Sequence, residues 1–183
     1  MTAKQAGMLT LGYAVAIISF IRVGEKLLQR FGARKPMVWG CFITAVAILF
    51  LSPANLLLKD YRILAIVGYT LYGTGLAFYA TPSTDAALSN LPQSQAGSGS
   101  GIYKMASSLG AAFGVAISAS IFSALSSGTE SARWMEGVIT FYGRQDNVAV
   151  RTAAMIALMF NVLMVAVAIV AITLTIPAGK EAR

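Results

Sequence analysis

The residues best equipped for chemistry are scarce in this sequence, and their scarcity is the first constraint. Its 183 residues include no histidine and a single cysteine, Cys41, set in an apolar run. That removes Cys/His zinc sites, an internal disulfide, and the usual general base and nucleophile–histidine pairs. No acid falls inside a long apolar segment, so no carboxylate pair is placed for acid–base work there. An intramembrane enzyme is therefore disfavoured, and no metal or organic cofactor is implied. The stretch Gly97-Ser-Gly-Ser-Gly101 has no strand before it and lacks phosphate-loop spacing. It reads as a flexible lead-in to the segment that follows. Two ionisable residues stand apart: Asp85 is the only charged residue between Arg62 and Lys104, and Lys104 the only one between Asp85 and Glu130. An ammonium in hydrocarbon costs roughly 3 kcal/mol at mid-bilayer and less near an end. A carboxylate within reach would offset part of that. Asp85 and Lys104 are read as an ion pair or gate; the plain alternative is a structural interfacial pair with a snorkelling lysine.

The elements that must position these residues follow from composition. Hydrophobic residues make up 57% of the chain and charged residues only 11%, against roughly 25% charged in soluble domains. Residues 36–58 and 152–179 carry no charge at all. A bilayer core about 30 Å thick needs about 20 apolar helical residues, so both stretches can cross it. Exposed polar backbone is excluded from hydrocarbon, and the runs are continuous rather than alternating, which favours helices over a barrel. The expected fold is an all-α integral membrane domain over residues 1–183, with about five transmembrane helices. Spans are expected at about 3–22, 36–52, 62–81, 99–125 and 152–176. Pro36 suits a first helical turn, Ser52-Pro53 a stop, and Thr81-Pro82 the end of the third span.

The formal net charge of +7 would suggest nucleic acid in a soluble protein. Here the basic residues sit in short connections, where they orient the chain against a lipid bilayer, and no nucleic-acid partner is expected. The first connection holds Arg22, Lys26, Arg30, Arg34 and Lys35 against one acid, Glu25. It is assigned to the cytoplasmic side, which puts the N-terminus and the 126–151 loop outside and the C-terminus inside. The remaining bases are nearly balanced, so the orientation rests on this connection. Because Met1 starts almost directly at a helix whose N-terminus lies outside, the chain is expected to be a fragment lacking an amino-terminal half.

That first connection reads Gly24-Glu25-Lys26-Leu27-Leu28-Gln29-Arg30-Phe31-Gly32-Ala33-Arg34-Lys35-Pro36. It resembles the signature loop of the major facilitator superfamily, G-x-L-a-D-r-x-G-r-[RK]. Leu27, Arg30, Gly32, Arg34 and Lys35 match the pattern, while Glu25, Gln29 and Ala33 depart from it. The plain alternative is a topogenic basic loop. Arg22-Val-Gly-Glu-Lys-Leu-Leu-Gln29, Tyr79-Ala-Thr-Pro-Ser-Thr-Asp85 and Gly101-Ile-Tyr-Lys-Met-Ala-Ser-Ser-Leu-Gly110 resemble fourteen-helix drug:proton antiporters, closest to Nor-type quinolone-resistance efflux pumps. The likeness covers nearly the whole chain and weakens in the 126–151 loop.

The resemblance implies the last five helices of the carboxyl half of a proton-coupled multidrug efflux antiporter in the cytoplasmic (inner) cell membrane. Its partners would be protons and a small amphipathic, drug-like substrate of quinolone or cationic-dye type. With no acid in a span, coupling is expected to depend on the missing half, and the chain to be inactive alone. The alternative is a small non-transporting membrane interaction protein or a decayed transporter remnant. Gly110 and Gly114 form a small-xxx-small face expected to serve helix packing. Aromatics and methionines along the spans, among them Tyr13, Phe20, Tyr72, Phe78, Met155 and Met159, suit a pocket for flat drugs, although most are expected to face lipid or other helices.

Overall fold

The computed structural model describes residues 3–127, 138, 140–142 and 147–177. Long uninterrupted apolar runs satisfy their own backbone hydrogen bonds as helices, and five result among these residues. They are α1 (Ala3–Phe31), α2 (Arg34–Leu51), α3 (Leu58–Leu88), α4 (Ala96–Ser126) and α5 (Val148–Thr175), with one 3₁₀ turn, Gln93–Gln95, ahead of α4. Four of them, α2 to α5, are long and apolar enough to cross a membrane. In α1 the apolar stretch ends where Arg22, Glu25, Lys26 and Arg30 begin.

Three differences from the sequence reading bear on the site. Helix α1 continues nine residues past the expected end at residue 22, because nothing in Val23–Gln29 breaks a helix and the charges can project from its surface. Pro82 does not end the third helix. It lies fully buried inside α3, which runs on to Leu88, so residues 83–88 are helical. Proline removes one backbone donor, and neighbouring hydroxyls can take up spare carbonyls in membrane helices; Thr84 Oγ1 donates to the Ala80 carbonyl at 3.1 Å. The Gly97–Gly101 stretch is not a flexible lead-in but the first turns of α4.

Helix α3 is the hub, packed on one side by α1 and on the other by α2. Helix α5 lies against α2, and α4 lies against α5 with a light contact back to α3. Glycines set the two tight seams. A Cβ on Gly73 would strike the Tyr13 carbonyl, and one on Gly24 the Ala77 carbonyl, which fixes α1 beside α3 in the same direction. On the other side a Cβ on Gly40 would lie 2.6 Å from the Gly75 carbonyl oxygen. Small residues let backbones approach to this degree.

The buried residues are accordingly small, including Ala16, Ala47, Ala65, Ala77 and Ala153, while Ile18, Val115 and Leu174 are exposed. This is the surface of a protein whose solvent is lipid. At one end, Met37, Cys41 and Ile172 cluster with Tyr79 and Ala86. At the other, Phe141, Val148 and Met155 cluster against Ala54. Helix α4 has no buried residue at all.

Candidate functional site

The signature turn is built as its sequence requires. Helix α1 ends at Phe31, and Gly32 takes φ 72°, the only positive φ among the described residues. Its N–H donates to the Leu28 carbonyl at 2.8 Å, and α2 begins two residues later. Only glycine adopts this backbone without strain. Arg30 and Lys35 lie 5.2 and 5.3 Å from the centre of the Phe31 ring, and Phe31 meets Trp39 edge-on at 5.4 Å. Glu25 points the other way, into a cleft between α1 and α3.

That cleft has a volume of about 770 Å³ and is lined by Glu25, Gln29, Gly32, Thr81, Thr84, Asp85 and Ser89, among others. It brings two carboxylates, several hydroxyls and the signature turn together at one end of the bundle. Asp85 therefore faces α1 and not Lys104. No ion pair joins Asp85 to Lys104; the lysine Nζ instead lies 5.6 Å from the centre of its neighbour Tyr103. What joins α3 to α4 here is neutral: the hydroxyls of Ser83 and Tyr103 share a 2.8 Å hydrogen bond. With α4 starting at Ala96, Lys104 sits about 12 Å along it at the usual helical rise.

Further along α4, Asn161 Nδ2 donates to Ser118 Oγ at 3.1 Å and to the Ala157 carbonyl at 2.8 Å. These groups line a groove of about 550 Å³ between α4 and α5. The structure does not pack Gly110 or Gly114 against a backbone: a Cβ at either would meet nothing within 4 Å. Lys104, Ser107, Ser108, Ser120 and Ser123 are exposed along α4 among its apolar residues, spread around the helix rather than on one face. Two aromatic pairs form between α1 and α3, Tyr13–Tyr72 at 5.8 Å and Phe20–Phe78 at 6.3 Å. Met155 is buried in the core, whereas Met159 is exposed.

At the opposite end Arg151, read from sequence only as a loop base, reaches across the bundle. It donates to the carbonyls of Ala54, Leu56 and Tyr142 and lies 5.3 Å from the centre of the Phe141 ring. No local pattern signals this, because its partners are main-chain atoms distant in sequence. The remaining charges assigned to the outer loop, Glu130, Arg133, Glu136, Arg144 and Asp146, lie outside the described residues, as do Lys180 and Arg183. No cluster of metal-ligating side chains occurs among the described residues.

Long apolar helices with lipid-type surfaces define a multi-pass integral membrane protein, and its immediate partner is the bilayer. Residues 1–181 match the Major Facilitator Superfamily, and the chain belongs to that family of membrane transporters. It is 42% identical over 182 residues to the quinolone resistance protein NorB of Staphylococcus aureus strain MRSA252, a match covering 100% of this chain and 35% of that protein. Against NorB of the bovine strain RF122 / ET3-1 the identity is 41% over 179 residues, covering 98% of this chain and 35% of the relative. The chain thus spans about 35% of the length of the curated relatives it matches.

Proposed function

We propose that this chain is the carboxyl-terminal part of a proton-coupled efflux antiporter for amphipathic drugs of quinolone or cationic-dye type, acting in the cytoplasmic membrane. The single observation that carries this reading is the exposed polar content of α4. That helix is a full span with no buried residue, yet it exposes Lys104, Ser107, Ser108, Ser120 and Ser123. Polar groups exposed along a whole span are costly against hydrocarbon and suit a water-lined path or a second protein surface. Helices α2 and α5 differ: between Trp39 and Leu49, and between Met159 and Leu174, their exposed side chains are apolar. We read α2 and α5 as lipid-facing, and α4 with neighbouring parts of α1 and α3 as lining the path.

Transporters of this architecture work by rocking one repeat against another around a central site. These 183 residues hold no acid between Asp60 and Asp85 or within α4 and α5, so the proton-binding carboxylate would be supplied by the rest of the longer protein. Alone, the chain should not transport.

The test is a chimera in which this chain replaces its matching 35% of a NorB relative. Proton-dependent efflux of a fluoroquinolone or dye by the chimera, with none from cells making this chain alone, is the expected result. Robust efflux by the isolated chain would overturn the stand-alone part. An inserted, stable but silent chimera would favour a non-transporting membrane interaction protein.

A further inference from the structure

Among the described residues, Lys104 is a cation with no anion. It lies about 12 Å along α4, within a segment long and apolar enough to cross a membrane. Its one partner is the face of the Tyr103 ring, 5.6 Å from Nζ, and a ring face holds an ammonium less firmly than a carboxylate does. The carboxylates of this end, Glu25 and Asp85, line the cleft on the α1 side. Ser107 and Ser108 follow Lys104 at the third and fourth positions, which neighbour it on a helix surface at about 5–6 Å. Hydroxyls in other helices, such as those of Thr44, Thr70 and Thr175, donate back to the carbonyl four residues earlier. Those of Ser107 and Ser108, on exposed residues, make no such bond. Three donors thus stand together with no acceptor among the described residues. This side of α4 runs on into a groove. Lys104, Ser107, Ser108, Ala111, Val115 and Phe122 fall within an arc of about 100° around the helix. Val115 and Phe122 line the groove of about 550 Å³ between α4 and α5, which is apolar except for Ser118 and Asn161. That volume suits a small organic molecule.

We propose that this side of α4 binds a carboxylate-bearing amphipathic molecule, with Lys104 as the residue that reads its charge. The ammonium and the Ser107 and Ser108 hydroxyls donate to the carboxylate, and the flat body lies along Ala111 and Val115 toward the groove. Val115 is about 16 Å from Lys104 along the helix, a span that an extended lysine and a fused two-ring body cover together. The strip carries one positive charge and no acid, so it selects an anion over a cation. A soluble carboxylate fits better than a lipid phosphate, because the strip beyond the cation is polar before it turns apolar. The inference rests on the efflux reading for its substrate class and narrows it, setting acidic quinolones apart from cationic dyes.

Nalidixic acid, a quinolone with a carboxylate and no amine, is the probe, and its ethyl ester is the same body without the charge. Equilibrium dialysis against the full chain in phosphatidylcholine nanodiscs, corrected for empty discs, gives an acid-to-ester ratio of association constants. At about pH 8 the carboxylate is ionised. The ratio should be about tenfold or more, the effect of one charge-assisted hydrogen bond. Lys104→Gln should bring it close to one with the ester still bound, and Lys104→Arg should restore most of it. Ser107→Ala with Ser108→Ala should lower it by roughly threefold. Lys59→Gln, at the other end of the bundle, should keep it. Equal binding of acid and ester, no binding of the acid, or a preference that survives Lys104→Gln would overturn the proposal. So would loss of the preference when phosphatidylglycerol is mixed into the discs, which would assign the ammonium to a lipid phosphate. The measurement is binding by the chain itself. A silent efflux chimera therefore sinks the transport reading without touching this ratio, and a working chimera does not rescue a failed one.

Discussion

Arg151 Nε donates to the carbonyl of Ala54 at 2.5 Å, joining residues 97 positions apart. The same guanidinium also holds Leu56 and Tyr142, so one side chain ties the α2–α3 connection and the segment before α5 to the start of α5. Three carbonyls lose a charged donor on truncation. Arg151→Ala should therefore cost about 3 kcal/mol. Arg151→Lys should recover less than half of it, because an ammonium cannot reproduce the planar fork. Thermal unfolding of the purified chain in detergent measures both; a loss below about 1 kcal/mol would mean that water substitutes for the clamp.

Next to it, Thr152 is 0% exposed, and its Oγ1 has no hydrogen-bond partner. An orphaned buried hydroxyl opposes folding, whereas a methyl of similar shape does not. Thr152→Val should raise stability by about 1 kcal/mol on that basis. A destabilised Thr152→Val in the same unfolding assay would reveal a partner for the hydroxyl in the folded protein.

The glycines divide into two classes with opposite expectations. Gly24→Ala and Gly73→Ala each push a methyl into a backbone carbonyl across the α1–α3 seam and should cost about 1–3 kcal/mol. Gly110→Ala and Gly114→Ala enter open space and should gain up to about 1 kcal/mol from helix propensity. Denaturant titration of the four variants ranks them. If Gly110→Ala proved the most damaging in a full-length relative but not in this chain, the α4 face would be occupied in the longer protein.

Orientation is testable at both ends of the bundle. The basic turn should face the cytoplasm, and the end holding Arg151 should face outward. In a Cys41→Ala background, Gly32→Cys should resist an impermeant thiol reagent in intact cells, and Val138→Cys should react. Labelling of Gly32→Cys from outside would reverse the assignment.

Much of the fold could be read from charge-free runs, since lipid leaves few alternatives to helix. Gly32 was also legible, because a tight turn between two helices demands its backbone freedom. Pro82 misled: in water a proline commonly marks a helix boundary, yet here the surrounding helices keep α3 continuous through it. Glycine patterns were only half legible. Gly110 and Gly114 have packing spacing but no neighbour, while the real seams use Gly24, Gly40, Gly73 and Gly75, whose partners are carbonyls on other helices. Arg151 and Asn161 were not singled out at all, because their roles depend on which carbonyl or hydroxyl the tertiary structure brings near.

The last prediction concerns Asp85 and Lys104, which sequence alone suggested as partners. The structure turns Asp85 into the cleft it shares with Glu25 and leaves Lys104 beside Tyr103 on α4. The contact joining their helices is the Ser83–Tyr103 hydroxyl pair. A pair that does not touch and shares no partner should behave additively. The stability changes of Asp85→Asn and Lys104→Gln should thus sum in the double variant to within about 0.5 kcal/mol. Ser83→Ala and Tyr103→Phe should instead couple by more than that, since each removes the same hydrogen bond. Running both cycles in this chain and in a full-length NorB relative separates two meanings of the result. Additivity of the charged pair in both would leave Asp85 and Lys104 with independent roles. Coupling confined to the relative would show that a transport state brings them together. Coupling in the isolated chain, with rescue by the exchange Asp85→Lys with Lys104→Asp, would contradict the geometry described.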